Sequence, residues 1–235
     1  MALTAKPQAM IFDLDGTLAH TLPQLSLAVS KVAQAMGLPV PNAETMSQFV
    51  GNGVTMLLGR VIMGRHDIEL AEVPEEKMKE ARALFNRFYQ EGLSSDFVVY
   101  PGVVDGLKYF QSCGIKLGVV TNKPNIFAQP LLGFMGLKPF FAQILGGEVL
   151  KERKPDPTPV LYVLDKMGAA PQQSLMVGDS INDVKAGQNA HMATVAFTYG
   201  YNGGYDLHTS CNPDYLFSRF DELTELIRSL PPRAS

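Results

Sequence analysis

Two aspartates one residue apart follow a short apolar segment near the start of the chain. Asp13 and Asp15 belong to the sequence Asp-Leu-Asp-Gly-Thr, which comes directly after the apolar residues 9–12. An apolar run this short, next to a glycine, predicts a buried strand that ends in a turn. Two neighbouring carboxylates repel each other unless a cation or a shared proton relieves the repulsion. The pattern favours a divalent metal site, or a pair with one ionised and one protonated acid. An ordinary solvated turn is the alternative.

Three further segments carry polar side chains at the ends of predicted elements. Residues 121–123 (Thr-Asn-Lys) and 178–183 (Gly-Asp-Ser-Ile-Asn-Asp) each follow a predicted strand, and residues 153–156 (Arg-Lys-Pro-Asp) precede a predicted helix. Ligands bind beyond the carboxyl ends of the strands in an open parallel sheet, so we expect these segments to meet at one site. Each alone could be a helix cap, a surface charge or a turn, but their equivalent positions are hard to explain by chance.

These side chains form a set suited to phosphate chemistry. Asp13 and Asp179 can chelate Mg²⁺, which favours a few carboxylates together with water and substrate phosphate. Thr17, Thr121 and Lys154 offer hydrogen-bond donors and a positive charge for three phosphoryl oxygens. Hydrolysis of phosphate monoesters is among the slowest uncatalysed reactions, so a dense cluster of metal and donors matches its barrier. The expected ligands are Mg²⁺ and a small-molecule phosphate ester.

The second half of the chain alternates between short apolar strands and helices. The predicted strands are 115–120, 143–145, 174–177 and 193–197, and the predicted helices are 126–135, 158–167, 181–189 and 221–230. Such alternation implies a parallel sheet covered on both faces. The fold class is therefore α/β, with a Rossmann-like doubly wound parallel sheet that also contains the first strand. The core domain is expected to comprise residues 1–20 and 98–235.

The segment between these two parts, residues 21–97, has a helical pattern. Apolar residues recur at three- and four-residue steps over residues 22–36 and 78–88, with a further helical stretch between them. Thr21 and Gln24 are predicted to form a capping box at the start of the first of these helices. The segment contains no convincing strand, so we expect an all-helical cap domain inserted into the α/β core.

The composition excludes several classes of protein. The 235 residues are 46% hydrophobic and 18% charged, which is typical of a globular chain of one large or two modest domains. The net charge of −3 and the lack of a basic block argue against nucleic-acid binding. No long apolar run indicates a membrane span, and the first eight residues do not resemble a signal peptide, so a cytoplasmic location is expected. Cys113 and Cys211 do not form a disulfide framework.

The four polar segments, in this order, resemble the motifs of the haloacid dehalogenase superfamily of phosphatases, and the helical insertion resembles that superfamily's cap. Within it, the chain is most similar to the phosphatases that act on 2-phosphoglycolate, and the resemblance covers about residues 9–230. The segments that carry this closer similarity are 50–53, 120–124, 154–157, 178–183 and 198–202.

The resemblance implies a role for each residue of the site. Asp13 would be the nucleophile that forms an aspartyl phosphate, and Asp15 would protonate the leaving alcohol and then activate water. The Asp13 and Asp179 carboxylates, with the backbone carbonyl of Asp15, would bind Mg²⁺. The remaining implied residues are Ser180 and Asp183, which would support the metal ligands, and Gly16, Thr17, Thr121, Asn122 and Lys154, which would bind substrate. The expected reaction converts 2-phosphoglycolate to glycolate and phosphate.

Two features of the insertion leave alternatives open. Gly51, Asn52 and Gly53 interrupt a helical run, and their backbone amides could form an anion-binding nest for a substrate carboxylate. A simple loop between two helices is the alternative. His20, at the junction of core and insertion, is expected to be a linker residue, although contact with the substrate is possible.

Other functions are alternatives to the hydrolysis of 2-phosphoglycolate. The substrate could be another small sugar or acid phosphate. A phosphomutase would use the same Asp13 and Asp15, but Asn182 and Asp183 resemble the phosphatase form of the last motif. A dehalogenase needs no acid two residues after its nucleophile, and a non-catalytic binding protein would be expected to lack one of these acids or Lys154. A monomer or a weak homodimer is expected.

Overall fold

The computed structural model describes residues 3–233 and contains one large sheet and one two-stranded ladder. The strands are β1 (Ala9–Phe12), β2 (Ala19–His20), β3 (Val98–Val99), β4 (Lys116–Pro124), β5 (Gln143–Gly147), β6 (Ser174–Gly178), β7 (Ala193–Phe197) and β8 (Tyr215–Phe217). The large sheet has the order β5-β4-β1-β6-β7-β8, and each neighbouring pair is parallel. The predicted parallel α/β fold is confirmed.

Ten α-helices accompany the strands in the described part of the chain. They are α1 (Leu22–Ala35), α2 (Ala43–Phe49), α3 (Val54–Met63), α4 (Glu75–Glu91), α5 (Val103–Ser112), α6 (Asn125–Phe134), α7 (Thr158–Met167), α8 (Ile181–Asn189), α9 (Leu207–Cys211) and α10 (Phe220–Ser229). None of the helices within residues 3–233 combines the length and the apolar character that a membrane crossing requires.

Strand β1 lies at the centre of the sheet, and both of its faces are covered. Met10 and Phe12 pack into the cluster that includes Phe110 of α5 and Phe220 of α10. The alternate residue Ile11 packs into a second cluster, with α7 and α8, on the opposite face. Successive side chains of a strand point to opposite faces, so a strand with helices on both sides must be apolar throughout. This explains why residues 9–12 are an unbroken apolar run.

Helices α1 to α4 form the insertion between β2 and β3. Helix α1 packs along α4 through buried residues such as Val29 and Phe85, and β2 pairs with β3 in an antiparallel ladder at the base of the insertion. Each of these strands has two residues, which is too short to give a pattern in the sequence. The division into domains at residues 20/21 and 97/98 stays a prediction.

The predicted capping box of α1 is wrong. The Thr21 side chain makes no capping hydrogen bond, and its hydroxyl donates to Asp15 Oδ1 instead (2.6 Å). The Gln24 amide is buried and points toward the end of α4, where its Nε2 donates to the carbonyl oxygens of Gly92, Leu93 and Ser95. Tertiary partners have displaced a favourable local motif.

Candidate active site

The carboxyl ends of β1, β4 and β6 bring the predicted segments together. Asp13 follows β1, Asp179 follows β6, and Lys154 lies in the loop before α7. Lys154 Nζ is 2.7 Å from Asp13 Oδ1 and 2.6 Å from Asp183 Oδ1, and its side chain is almost fully buried. One ammonium group therefore bridges two carboxylates that are distant in the sequence.

Asp13, Asp179 and Asp183 form a cluster in which one carboxylate oxygen from each lies within 4.8 Å of the others. All three are buried. Burial raises the pKa of Asp13 to about 6, against the lowering effect of Lys154, with Asp183 and Asp15 adding to the rise. Burial and the charges of Asp183 and Asp13 also raise the pKa of Asp179 well above its usual value.

This cluster fits a divalent metal ion. With Asp15 it brings four carboxylates together, and the two ammonium groups of Lys123 and Lys154 are the cations bonded to them in the described chain. A hard cation with oxygen ligands would relieve the remaining negative charge. The donor set is thus suited to a metal, which Asp13 and Asp179 would hold with Asp183 close by.

Asp179 is fixed by a dense set of contacts. Its two carboxylate oxygens accept hydrogen bonds from the Thr17 hydroxyl and from the backbone N–H of Tyr201. Gly16 has a φ of +87°, and a Cβ there would lie 2.2 Å from Asp179 Oδ2. A Cβ on Gly200 would lie 2.3 Å from the same side chain. These glycines provide the space that Asp179 occupies.

The position of Thr17 and Gly16 differs from the sequence-based expectation. Both were predicted to bind substrate, but the Thr17 hydroxyl is already donated to Asp179, and Tyr199 donates its hydroxyl to the Thr17 carbonyl (2.7 Å). Neither Gly16 nor Thr17 borders the cavity described below. In this structure Thr17 donates to the Asp179 carboxylate and Gly16 leaves space for it. A direct contact of either residue with substrate stays a prediction.

Asp183 belongs to the first turn of α8 and caps it. Its Oδ2 accepts hydrogen bonds from the Ser180 hydroxyl (2.6 Å) and from the backbone N–H groups of Ser180 (3.0 Å) and Asp179 (3.2 Å). Its other oxygen faces Lys154. Asp183 thus holds Lys154 and the β6–α8 turn together, and the role expected for Ser180 and Asp183 in supporting the metal ligands stays a prediction.

Asp15 has a partner that the sequence did not reveal. Lys123 Nζ lies 2.9 and 3.0 Å from the two Asp15 carboxylate oxygens, and the Thr21 hydroxyl donates to Oδ1. Burial disfavours the Lys123 charge, but Asp15 and Tyr89 outweigh this effect and raise the pKa of Lys123 above its ordinary value. Lys123 is therefore a cation at the pH where the enzyme would work.

Lys123 also connects the core with the helical insertion. Its ammonium group lies 4.7 Å from the ring centroid of Tyr89 in α4, a cation–π arrangement. The Tyr89 hydroxyl donates to Gln24 Oε1 in α1 (2.7 Å), and burial raises the pKa of Tyr89 to about 12. A single chain of contacts thus runs from Asp15 into both long helices of the insertion.

Thr121 and Asn122 lie at the end of β4. Thr121 borders the cavity, and within residues 3–233 its Oγ1 accepts one hydrogen bond, from the Lys123 backbone N–H (3.2 Å), so its proton can be donated to a ligand. The Asn122 side chain accepts from the Lys154 backbone N–H and donates to the Lys154 carbonyl, both at 3.1 Å. Asn122 thus positions the segment that carries Lys154.

The site opens into a cavity of about 690 Å³, its mouth included, between the sheet edge and the insertion. Asp13, Asp15, Thr121, Asn122, Lys123, Lys154, Asp179, Ser180, Asn182 and Asp183 border it on the core side. The rest of its wall is largely apolar, with Leu25, Val50, Val54, Leu57, Phe85 and Tyr89 from the insertion and Phe127 from the core helix α6. This volume suits a small molecule rather than a polymer.

The Gly51–Gly53 break lies over this cavity. The Gly51 carbonyl accepts hydrogen bonds from the side-chain amides of Asn122 (3.2 Å) and Asn182 (3.1 Å), so it ties the insertion to the core. Gly51 and Gly53 border the cavity, whereas Asn52 does not. The structure gives no support to a substrate contact by the Asn52 side chain, and the anion nest stays a prediction.

His20 and Tyr201 form a contact at the junction of core and insertion. The Tyr201 hydroxyl accepts from the backbone N–H groups of Thr21 (2.7 Å) and Leu22 (2.8 Å) and lies 2.9 Å from His20 Nδ1. Because it already accepts two hydrogen bonds, its proton is available for Nδ1. His20 does not border the cavity. It lies in β2, where its ring is hydrogen-bonded to Tyr201.

The fold and the site define a class of protein: a hydrolase with a doubly wound α/β core, a buried aspartate cluster and a helical insertion over its cavity. The family model of the haloacid dehalogenase-like hydrolases matches residues 10–197, and the chain belongs to this family. The resemblance seen in the sequence is confirmed.

Individual relatives agree with this family. The phosphoglycolate phosphatase of Psychrobacter arcticus is 39% identical over 225 residues, which cover 95% of this chain and 97% of that protein. The phosphoglycolate phosphatase of Pseudomonas putida is 41% identical over 198 residues, covering 84% of this chain and 72% of that protein. A crystal structure of a predicted phosphoglycolate phosphatase from Haemophilus somnus has a TM-score of 0.86 at 35% identity, covering 93% of this chain and 97% of that chain.

Proposed function

We propose that this enzyme is a Mg²⁺-dependent phosphatase that hydrolyses 2-phosphoglycolate to glycolate and phosphate through an aspartyl phosphate. The observation that carries the proposal is the position of Asp13, which borders the cavity and pairs with Lys154 inside a buried carboxylate cluster. The names of the relatives point to the same substrate.

In the first step, an Asp13 carboxylate oxygen attacks phosphorus and the ester P–O bond breaks. Asp15 gives its proton to the leaving glycolate oxygen, so an alcohol leaves instead of an alkoxide. Lys154 and the Thr121 hydroxyl hold the phosphoryl oxygens. Bound Mg²⁺ would neutralise negative charge on the phosphoryl group and on the clustered carboxylates.

In the second step, water attacks the aspartyl phosphate. Asp15 takes the proton from the water, the bond between phosphorus and the Asp13 oxygen breaks, and phosphate leaves. Asp13 and Asp15 thereby return to their starting states. In the structure Asp15 is paired with Lys123 and Thr21, so its carboxyl group must share or change these partners to reach the leaving oxygen.

The experiment is a phosphate-release assay with 2-phosphoglycolate and a panel of other small monoesters, each in Mg²⁺ and in excess EDTA. We expect Mg²⁺-dependent release with the highest kcat/KM for 2-phosphoglycolate, and no release by Asp13→Asn. A higher kcat/KM for another monoester would assign a different substrate. Release that persists in EDTA, or no release from any monoester, would contradict the proposal.

A further inference from the structure

We propose that Lys123 recognises the carboxylate of the substrate and that it selects acids with a short link between carboxylate and phosphate. This inference rests on the proposed function, because it assumes an acidic phosphate ester in the cavity. It assigns to Lys123 a substrate contact in addition to its ion pair with Asp15.

Positive charge is scarce around the cavity. Of the described residues that border the cavity, Lys123 and Lys154 are the cations. Lys154 is held between Asp13 and Asp183, at the end of the cavity where the phosphoryl group would bind. A second anionic group on the substrate therefore has one ammonium group left to pair with, that of Lys123.

The wall of the cavity opposite Asp13 and Lys154 is apolar. Leu25, Val54, Leu57 and Phe85 of the insertion border the cavity there, together with Phe127 of the core helix α6, which contacts Phe85. A carboxylate that enters such a space loses water and gains no hydrogen bond from these side chains, which is strongly unfavourable for an unpaired charge. An acidic substrate can bind only if its carboxylate reaches a hydrogen-bonding or charged partner. Lys123 is the charged candidate, and it lies at the boundary between this wall and Asp15.

The Lys123 ammonium group has the geometry to bind a second carboxylate. An ammonium group has three donors, and this protein already shows one such group bridging two carboxylates, Lys154 between Asp13 and Asp183. Lys123 can bridge Asp15 and a substrate carboxylate in the same way. Lys123 Nζ lies 2.9 Å from Asp15, the residue beside the leaving oxygen. A carboxylate held there must be close to that oxygen, as it is in 2-phosphoglycolate, where one methylene group separates them.

The test compares 2-phosphoglycolate with carbamoylmethyl phosphate, in which a neutral amide replaces the carboxylate. We expect Lys123→Met to lower kcat/KM for the acid about 30-fold more than for the amide, the size of one charge-assisted hydrogen bond. Lys123→Arg should keep most of the preference for the acid. Lys138→Met, which removes an exposed lysine away from the cavity, is the matched control and should change neither rate.

Binding measurements separate this role from the positioning of Asp15. Calorimetry would compare Asp13→Asn/Asp15→Asn, which lacks the nucleophile, with the same protein carrying Lys123→Met, both with Mg²⁺. Removal of Lys123 should weaken binding of the acid selectively, although no Asp15 charge remains to be positioned. An equal effect on acid and amide, in both the kinetic and the binding experiment, would overturn the proposal and leave Lys123 as a positioning residue for Asp15.

Failure of the proposed function would look different. If the wild-type enzyme hydrolyses phosphate monoesters without preferring 2-phosphoglycolate to its amide, the proposed substrate is wrong and no carboxylate site is needed. If the wild type prefers the acid and Lys123→Met keeps that preference, the substrate stands and only the role of Lys123 is wrong.

Discussion

Arg82 of α4 and Glu148, which follows β5, form a two-pronged ion pair, with Nη1–Oε1 and Nη2–Oε2 distances of 2.7 Å each. The pair joins the helical insertion to the core. The Gly51 carbonyl makes a second junction with Asn122 and Asn182. Glu148 has a φ of +70°, in the left-handed region that few residues other than glycine adopt. These junctions hold the insertion over the cavity.

Loss of the Arg82–Glu148 pair should raise the KM for substrate while changing the stability of the fold only slightly. Both side chains are partly exposed, so the pair contributes at most about 1 kcal/mol to folding. We expect Arg82→Ala and Glu148→Ala each to raise the KM for substrate about two- to fivefold, because the free energy of the pair no longer holds the insertion over the cavity. The double variant should be no worse than either single variant.

The Arg65–Glu72 pair provides a control within the insertion. Its N–O distance is similar (2.8 Å) and both of its side chains are exposed, although Arg65 is more exposed than Arg82 (49% against 24%), and it does not reach the core. Arg65→Ala should therefore leave KM unchanged. A KM effect equal to that of Arg82→Ala would show that the loss of a surface charge, and not closure of the cavity, causes the change.

Asp13→Asn should inactivate the enzyme and change its response to pH. Burial and its charged neighbours raise the Asp13 pKa from 3.8 to about 6, so the metal-free folded protein binds an extra proton between these pH values. The stabilisation from this protonated carboxyl is complete below pH 3.8 and is lost as pH rises through 6. We expect the unfolding free energy of the variant minus that of the wild type, in EDTA, to rise by about 2 kcal/mol from pH 4 to pH 7.

Chemical denaturation at a series of pH values would measure this difference. The difference between the two proteins cancels the carboxyl groups that they share, apart from Asp15, Asp179 and Asp183, which interact with Asp13 directly. Lys154 stays charged throughout the range. Saturating Mg²⁺ at pH 7 should remove the advantage of the variant, because the metal stabilises ionised Asp13. A difference that does not change with pH would mean that Asp13 is not buried in its neutral form.

Gly16→Ala should disturb the metal site and not merely the turn. A methyl group there would meet Asp179 Oδ2 at 2.2 Å, and the φ of +87° is itself unfavourable for alanine. Gly37→Ala is the matched control, since Gly37 also has a positive φ (+65°) but no atom lies within 4 Å of its added Cβ. Each variant should lose about 1 kcal/mol of stability from backbone strain. Only Gly16→Ala should also need more Mg²⁺ for half-maximal activity, by about tenfold or more.

Asp15→Asn should reveal the proton-transfer step through its dependence on the leaving group. An amide cannot supply a proton, so release of an alkyl alcohol should slow by about 10²- to 10⁴-fold. Aryl phosphates have leaving groups that depart without protonation, so the first step should slow much less for them. Burst kinetics with an aryl ester would measure that step directly, and an equal slowing for alkyl and aryl esters would exclude an acid role for Asp15.

The sequence predicted the side of the sheet where the site lies, because strand ends of a parallel sheet meet at one edge and each motif follows a strand. It did not predict the pairing of Lys123 with Asp15, residues that are 108 positions apart, because no local pattern encodes such a contact. A charged residue at the end of an apolar strand was the one available signal, since burial of a lysine requires a partner.

The Thr21–Gln24 pattern, in contrast, led to the prediction of a contact that the structure does not contain. It is a good local signature of a helix start, but both side chains are used in tertiary contacts, with Asp15 and with the carbonyl groups after α4. The contacts of Tyr201 were also not predicted from the sequence. Its backbone N–H donates to Asp179, and its hydroxyl accepts from the backbone N–H of Thr21 at the start of α1. The expected monomer or weak dimer and the cytoplasmic location stay predictions.

The strand order of the sheet has a consequence for synthesis of the chain. Ala9 of β1 pairs with Lys116 on one side and with Ser174 on the other, so the first strand leaves the ribosome long before either neighbour exists. The helices that follow it make contacts closer in sequence and can fold first. The apolar segment 9–12 therefore stays unpaired after the insertion has folded. We expect pulse-labelling hydrogen exchange on nascent chains to show protected amides in α1 and α4 while the amides of β1 still exchange. During that interval this segment is the natural target for a chaperone that binds exposed apolar strands.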